Sequence, residues 1–159
     1  MQWLTRWQKG ATPLIAAVFL VLAVVQPLIG NGAAAVAAVN ATADEYGMLQ
    51  LVNQARNQAG LPSLHVEQRL TDFARSYSSE MIQYNFFGHE SPVSGDFRQR
   101  VNAWGFTGWE LAGENLAMGP NVEACFDALM NSPGHRANIL KPEYNCVGIG
   151  VVQGNGCLY

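Results

Sequence analysis

Basic residues are scarce. The 159-residue chain carries nine Lys or Arg against twelve Asp or Glu, a formal net charge of −3. The shortage is sharper once the two ends are separated. Met1–Ala43 holds Arg6 and Lys9 and no acid, and all twelve acids lie between Asp44 and Glu143. The 116 residues after Ala43 therefore carry seven basic side chains against the twelve acids, a formal charge of −5. Such a surface gains nothing from the counterion release that drives nucleic-acid binding, so no nucleic-acid partner is expected. Long hydrophobic runs are also missing. The longest, Leu14–Val25, has twelve residues before Gln26 and Pro27 break it, against the ~20 that a membrane-spanning helix needs. Histidine is limited to His65, His89 and His135, and cysteine to Cys125, Cys146 and Cys157. None of the cysteines has the spacing of a zinc site. An odd number in an oxidising compartment permits one disulfide, with the pairing left open.

What is present at the start of the chain is an export pattern: a charged beginning, the apolar run, then small residues. Candidate cleavage triplets are Ala33-Ala34-Ala35, Ala35-Val36-Ala37 and Ala41-Thr42-Ala43. We read residues 1–37 as a signal peptide with the cut falling between 35 and 43, residues 38–45 as a linker, and 46–159 as one domain. The expected location is secreted, extracellular or in the cell envelope, with no stable membrane span after cleavage. An uncleaved anchor is the alternative.

Periodicity supplies the elements. Asp44–Gln58 reads as a helix with Met48, Leu51, Val52 and Ala55 on one face and Gly60 past its end. Val66–Tyr84 reads as a second, its stripe running Leu70, Phe73, Ala74, Tyr77, Met81. Asp96 is placed to cap a short helix, Phe97–Ala103, and Asn121 another, Val122–Met130. Trp104–Gly119 is glycine-rich and reads as irregular, or as one short strand near Glu114. Ser132-Pro133 marks a fresh helix start running to Leu140, with Ser as cap and Pro at the first position. Val147–Val152 is β-branched, and Gly154-Asn155-Gly156 signals a hairpin turn. The sum is a mixed α+β domain of helices packed around a small antiparallel sheet.

Several ordered motifs then carry a resemblance. Leu51-Val52-Asn53-Gln54-Ala55-Arg56, followed by Gly60-Leu61-Pro62, resembles the first helix of bacterial CAP (SCP) domains, the superfamily of cysteine-rich secretory proteins, antigen 5 and pathogenesis-related 1. Phe87-Gly88-His89-Glu90-Ser91-Pro92 is similar to the family's first histidine loop. Gly113-Glu114-Asn115-Leu116-Ala117 matches its Gly-Glu-Asn motif. The ten residues Asn131–Leu140 match the signature of the bacterial branch, and Val147–Val151 resembles the strand that follows. The resemblance implies an α-β-α sandwich with a central antiparallel sheet, its closing strand cut short after Tyr159, and a cleft holding His89, Glu114 and His135. The fourth polar group of many members, an acid, falls here at Ser132, and its tryptophan neighbour at Leu129.

The candidate site is therefore Glu114, His89 and His135, with His89 and His135 as metal ligands. Neutral imidazoles bind Zn²⁺ or another divalent cation, or act as bases near neutral pH. Two His and a carboxylate with an open position form a zinc pattern, although 25 and 21 residues separate the three and only folding could unite them. His135, third in a short helix, is expected to be neutral because the helix's positive end disfavours imidazolium. His65 reads as a surface residue, Ser132 as a cap, Cys125 as packed, and Arg98, Arg100 and Arg136 as ion-paired scaffold. The aromatics Phe86, Phe87, Trp104, Phe106 and Trp109 read mainly as core. Three functions are open: a binding module for a small-molecule, lipid, glycan, peptide or wall ligand; a metal-assisted peptidase with Glu114 as base or ligand; and a structural envelope or surface protein. The sequence sets no oligomeric state.

Overall fold

In the computed structural model, residues 17–25, 41–154 and 157–159 are described, with the backbone alone for 17–25 and 157. Residues 1–16, 26–40, 155 and 156, which hold the charged start, the first two candidate cleavage triplets and the beginning of the linker, lie outside the described residues.

The elements run β1 (Ala17–Val25), α1 (Ala43–Gln58), β2 (His65–Val66), α2 (Gln68–Gln83), α3 (Phe97–Ala103), β3 (Trp109–Met118), α4 (Val122–Asn131), α5 (Pro133–Ile139), β4 (Cys146–Val151), β5 (Gln153–Gly154) and β6 (Cys157–Leu158). The main sheet has the order β2-β4-β1-β3. Strand β1 is antiparallel to both β3 and β4, and the two-residue β2 is parallel to β4. The antiparallel β5-β6 pair follows the hairpin signal read around Gly154. No helix among the described residues is long and apolar enough to cross a membrane.

Strand β4 shows why the helices fall on two faces. Successive strand residues point to opposite sides. Val147 and Ile149 pack with Met48, Val52, Cys125, Leu129 and Ile139, the cluster that joins α1, α4 and α5 to the sheet. Gly148 and Gly150 face the other way, toward α2. A Cβ at Gly148 would run into the backbone of Leu70, and one at Gly150 into the backbone of Ala74 and Arg75. These glycines are what lets α2 lie directly on the strand. On that side Leu70, Phe73, Ala74, Tyr77 and Met81, the stripe read from the sequence, are all buried, together with Val101, Leu116 and Cys146. Each large apolar side chain so buried contributes about 1.5–3 kcal/mol. The α-β-α layering is thus present, with helices on both faces of the sheet.

Two buried charges reinforce it. Arg56 extends the buried face of α1 and donates to the carbonyls of Pro62, Ile139, Lys141 and Tyr144, tying α1 to the turn after α5. Glu45 caps α1 reciprocally with Thr42 and accepts from Arg75 of α2 at 2.7 and 2.6 Å.

Three expectations need correction. The stretch Trp104–Gly119, read as irregular or as a short strand, contains a ten-residue strand. Its Gly113 is there because Tyr144 and Asn138 press against that face. Helix α2 starts at Gln68, because Glu67 accepts from the amide of Leu70 as cap and His65–Val66 is paired with β4. Ser132 occupies the cap position of α5 but its side chain makes no capping bond. Its amide instead closes α4 by donating to Leu129. By contrast Asp96 and Gln99 form the full reciprocal cap that starts α3.

Candidate functional site

Strand β3 delivers Glu114 to the centre of the site. Its carboxylate is buried and engaged at both oxygens. Oε1 meets Nδ1 of His89 at 2.7 Å, and Oε2 accepts from the guanidinium of Arg100. Arg100 comes from α3 and is itself buried, its guanidinium carbon 3.5 Å from the centre of the Tyr77 ring. It also donates to the carbonyls of His89 and Gly95, at 2.9 and 2.8 Å.

The loop that carries His89 is fastened from several sides. Tyr77 donates to the carbonyl of Gly88 at 2.7 Å. Glu80 of α2 accepts from the hydroxyls of Ser91 and Ser94. Ser91 exchanges backbone hydrogen bonds with Gly95 and takes the amides of Val93 and Ser94 onto its hydroxyl. The backbone is therefore fixed while the imidazole of His89 stays open, its side chain 56% exposed.

His135 arrives from the first turn of α5. Its ring centre lies 6.3 Å from that of His89. The helix is held to β3 by Asn115, which donates to the carbonyl of His135 at 3.0 Å and accepts from Asn138 at 3.0 Å. Burial, with the neighbouring His89 second, holds the His135 imidazole below the ordinary histidine value. The direction matches the sequence expectation, but the cause is burial and a neighbour, with no need of the helix end.

The three residues named from sequence thus meet. His89 and Glu114 bond directly, and His135 stands beside His89. They do not form a three-ligand metal set: among the described residues no cluster of three or more His, Cys, Asp or Glu is arranged to hold an ion. The reason is chemical, since Arg100 and His89 take both oxygens of Glu114. With Nδ1 of His89 turned to the carboxylate, its Nε2 is the nitrogen left for a ligand, the arrangement by which carboxylates orient metal-binding imidazoles.

His65 lies exposed on β2, away from this group. Cys125 and Cys146 are buried in different parts of the core, and burial pushes the Cys125 thiol up to about 12, which suits packing and not reactivity. Arg98 and Arg136 are exposed. Of the aromatics, Trp104 and Phe106 pack on Phe73, whereas Phe87 is exposed, two residues before His89 in the chain. Sequence reasoning passed over Asn115, Asn138 and Glu80 as site supports, and saw Arg100 only as a scaffold ion pair. Asn115 and Asn138 lie inside the recognised motifs, so their signal was present in the sequence.

With this geometry the family is decided by comparison. The model of the cysteine-rich secretory protein family, CAP, matches residues 49–159. The chain belongs to the CAP family. It is 36% identical over 113 residues to the uncharacterized protein YkwD of Bacillus subtilis (strain 168), a match covering 70% of this chain and 44% of that one. It is 33% identical over 114 residues to the uncharacterized membrane protein YlbC of the same organism, covering 69% and 32%. The chain therefore spans less than half the length of these curated CAP relatives. Among solved structures it is similar to an extracellular protein containing an SCP domain from Bacillus anthracis str. Ames, with a TM-score of 0.63, 31% identity, and coverage of 72% of this chain and 38% of that one. An outer surface protein from Borrelia burgdorferi shares the CAP fold, at a TM-score of 0.65 and 18% identity over 72% and 85%.

Proposed function

We propose that this CAP domain is an extracellular or cell-envelope binding module, with the His89–His135 pair as the floor on which a ligand seats. The observation that carries this reading is the engagement of Glu114. A peptidase needs its carboxylate as a base or a ligand, and here both oxygens are spent on His89 and Arg100. What is left facing solvent is the His89 imidazole, oriented from behind, with His135 beside it, where burial and the neighbouring His89 lower its affinity for a proton. Exposed Phe87 and Val93 flank His89 along its loop. That mix suits a lipid, glycan, peptide or wall component with an apolar portion and a polar group.

Zn²⁺ or another divalent cation fits the pair in donor chemistry. His89 through Nε2 and His135 through a ring nitrogen would hold it, leaving positions open for a ligand's oxygen or nitrogen. The export leader, the extracellular Bacillus anthracis protein and the Borrelia burgdorferi surface protein support placement outside the cytoplasm.

Calorimetry with Zn²⁺ on the full chain tests the floor. One site is expected, lost in His89→Ala and in His135→Ala. Equal binding by all three proteins would remove the metal from the proposal. Incubation with a peptide and wall-fragment library separates binding from hydrolysis. Retention without cleavage is expected. Cleavage that disappears in Glu114→Gln would establish the peptidase instead.

A further inference from the structure

Helices α2 and α3 leave a cavity of about 80 Å³ beside Arg100. Phe73 and Tyr77 of α2 wall it on one side, and Arg100 of α3 with Trp104 at that helix's end on the other. Glu80 and Ser94 add polar lining, and the exposed Ser76 and Trp104 stand where it meets solvent. The aromatic corner is firm. Phe73 meets Trp104 edge to face at 5.5 Å, and the Tyr77 ring lies 3.5 Å from the guanidinium carbon. Two polar groups of this wall have bonding capacity left. Arg100 spends Nη1 on the carbonyls of His89 and Gly95 and Nη2 on Glu114, but its buried Nε has no hydrogen-bond partner. It is the one side-chain nitrogen so placed among the described residues. Glu80 holds Ser91 and Ser94 through Oε1, and its Oε2 takes no hydrogen bond from the described residues. A buried N–H without an acceptor is both costly and rare. An acceptor arriving through the cavity therefore gains more at Arg100 than on an open surface.

We propose that this cavity is a subsite for the acetamido group of an N-acetylated amino sugar. The charges on its wall select against ions. Glu80 opposes a carboxylate or phosphate, and Arg100 opposes a cation. A neutral group with one acceptor and one donor satisfies both. Its carbonyl takes the Arg100 Nε–H, and its N–H donates to Oε2 of Glu80. A hydroxyl carries both functions on a single atom. A secondary amide carries them on separate atoms and adds a methyl group for the rings of Phe73, Tyr77 and Trp104. Size agrees with this choice. At about 30 Å³ per water molecule the cavity holds two or three waters, or one group of about four heavy atoms. That is the size of an acetamido group and too small for a pyranose ring, which stays outside against Trp104 and Ser76. Apolar walls with a few placed polar groups are the usual make of a small-ligand pocket. Arg100 also joins the subsite to the histidine floor, because the same guanidinium braces Glu114 behind His89. The proposal deepens the binding reading by naming its wall ligand, and rests on that reading for the ligand's origin.

The test is an NMR titration of the ¹⁵N-labelled full chain with N-acetylglucosamine, glucosamine, glucose and N-acetyl-alanine amide. N-acetylglucosamine is expected to shift the Arg100 Nε–H and the Ser94 and Trp104 amides, saturating with a Kd on the order of 1 mM. Saturation transfer to the sugar should be strongest at its acetyl methyl. Glucosamine and glucose, which lack the acetamido group, should leave those signals in place. No shift at about 50 mM sugar, some fifty times that Kd, would overturn the proposal and leave the cavity to water. Equal binding of glucose would overturn the acetamido assignment, and tighter binding of N-acetyl-alanine amide would replace the sugar by an acetylated peptide. Ser76→Phe, an exposed position, should close the entrance and abolish the shifts with the melting temperature kept. Glu80→Gln keeps an oxygen for the two serines and turns a donor toward the ligand's N–H, so a loss of about tenfold in Kd is expected. Unchanged affinity in both variants would place the sugar elsewhere and refute the subsite. The titration is run without Zn²⁺, so its failure strikes this cavity alone and leaves the calorimetric test of the histidine floor standing.

Discussion

The Arg100–Glu114 pair offers the sharpest test of how the site is held. Both side chains are 3% exposed, so their charges have left water. The attraction between two such charges largely repays the cost of their desolvation, and the net value of the pair is small. Removing one partner is different. Arg100→Met leaves a buried carboxylate facing only His89, and strips two donors from the carbonyls of His89 and Gly95. A buried charge stranded in this way costs about 3–5 kcal/mol. For a chain of this length each kcal/mol lowers the melting temperature by about 2–4 °C, so a drop of roughly 6–20 °C is expected. The double variant Arg100→Met/Glu114→Leu removes the stranded charge as well. It should be more stable than Arg100→Met alone, retaining a loss of about 1–3 kcal/mol from the unpaired loop carbonyls. Guanidinium unfolding followed by tryptophan fluorescence measures wild type, Arg100→Met, Glu114→Leu and the double variant, with the denaturant slope checked for constancy. A loss below about 1 kcal/mol in Arg100→Met would refute the burial argument. Strict additivity in the double variant would refute the coupling.

Two further outcomes follow from other parts of the fold. Gly150→Ala should destabilise by about 1–3 kcal/mol, since its Cβ enters the backbone of α2. Gly134→Ala, where a Cβ meets nothing in α5, should stabilise by up to about 1 kcal/mol. Thermal melts of the two variants giving the same sign would contradict the packing of α2 on β4. Acid titration probes Glu45. Burial raises its affinity for protons, but the bonds from Arg75 and from the amides of Thr42 and Val151 outweigh it, holding the carboxyl below its ordinary 4.5. A depressed folded value means the stabilisation is complete above the unfolded value and fades as pH falls through the folded one. The stability gap between wild type and Glu45→Gln should therefore narrow from pH 6 toward pH 3, and a gap independent of pH would reject the pairing.

The helices were legible because their signals are local. Asp96 three residues before Gln99 is enough to start α3, and the five-residue stripe of α2 is enough to choose its buried face. The strand β3 was misread for a reason that is not local. Gly113 looks like a loop residue until Tyr144, 31 positions later, is seen to occupy the space a side chain would need. Arg56 was hidden by its charge, although it continues the spacing Met48, Val52, Arg56 along one face of α1. A guanidinium at that place is buried only because four carbonyls distant in sequence or across the next turn converge on it.

The site divides along the same line. His89, Glu114 and His135 could be named because rare residue types stand in recognisable motifs. Their mutual geometry could not, because it is set by α3 and by Asn115, which hold the two histidine segments against one strand. This decides how the chemistry is read. From sequence alone a carboxylate beside two imidazoles reads equally as base, ligand or brace. Under the proposed binding function Arg100 favours the brace, since a carboxylate facing a buried guanidinium has a partner that water or substrate must displace before any proton can be taken.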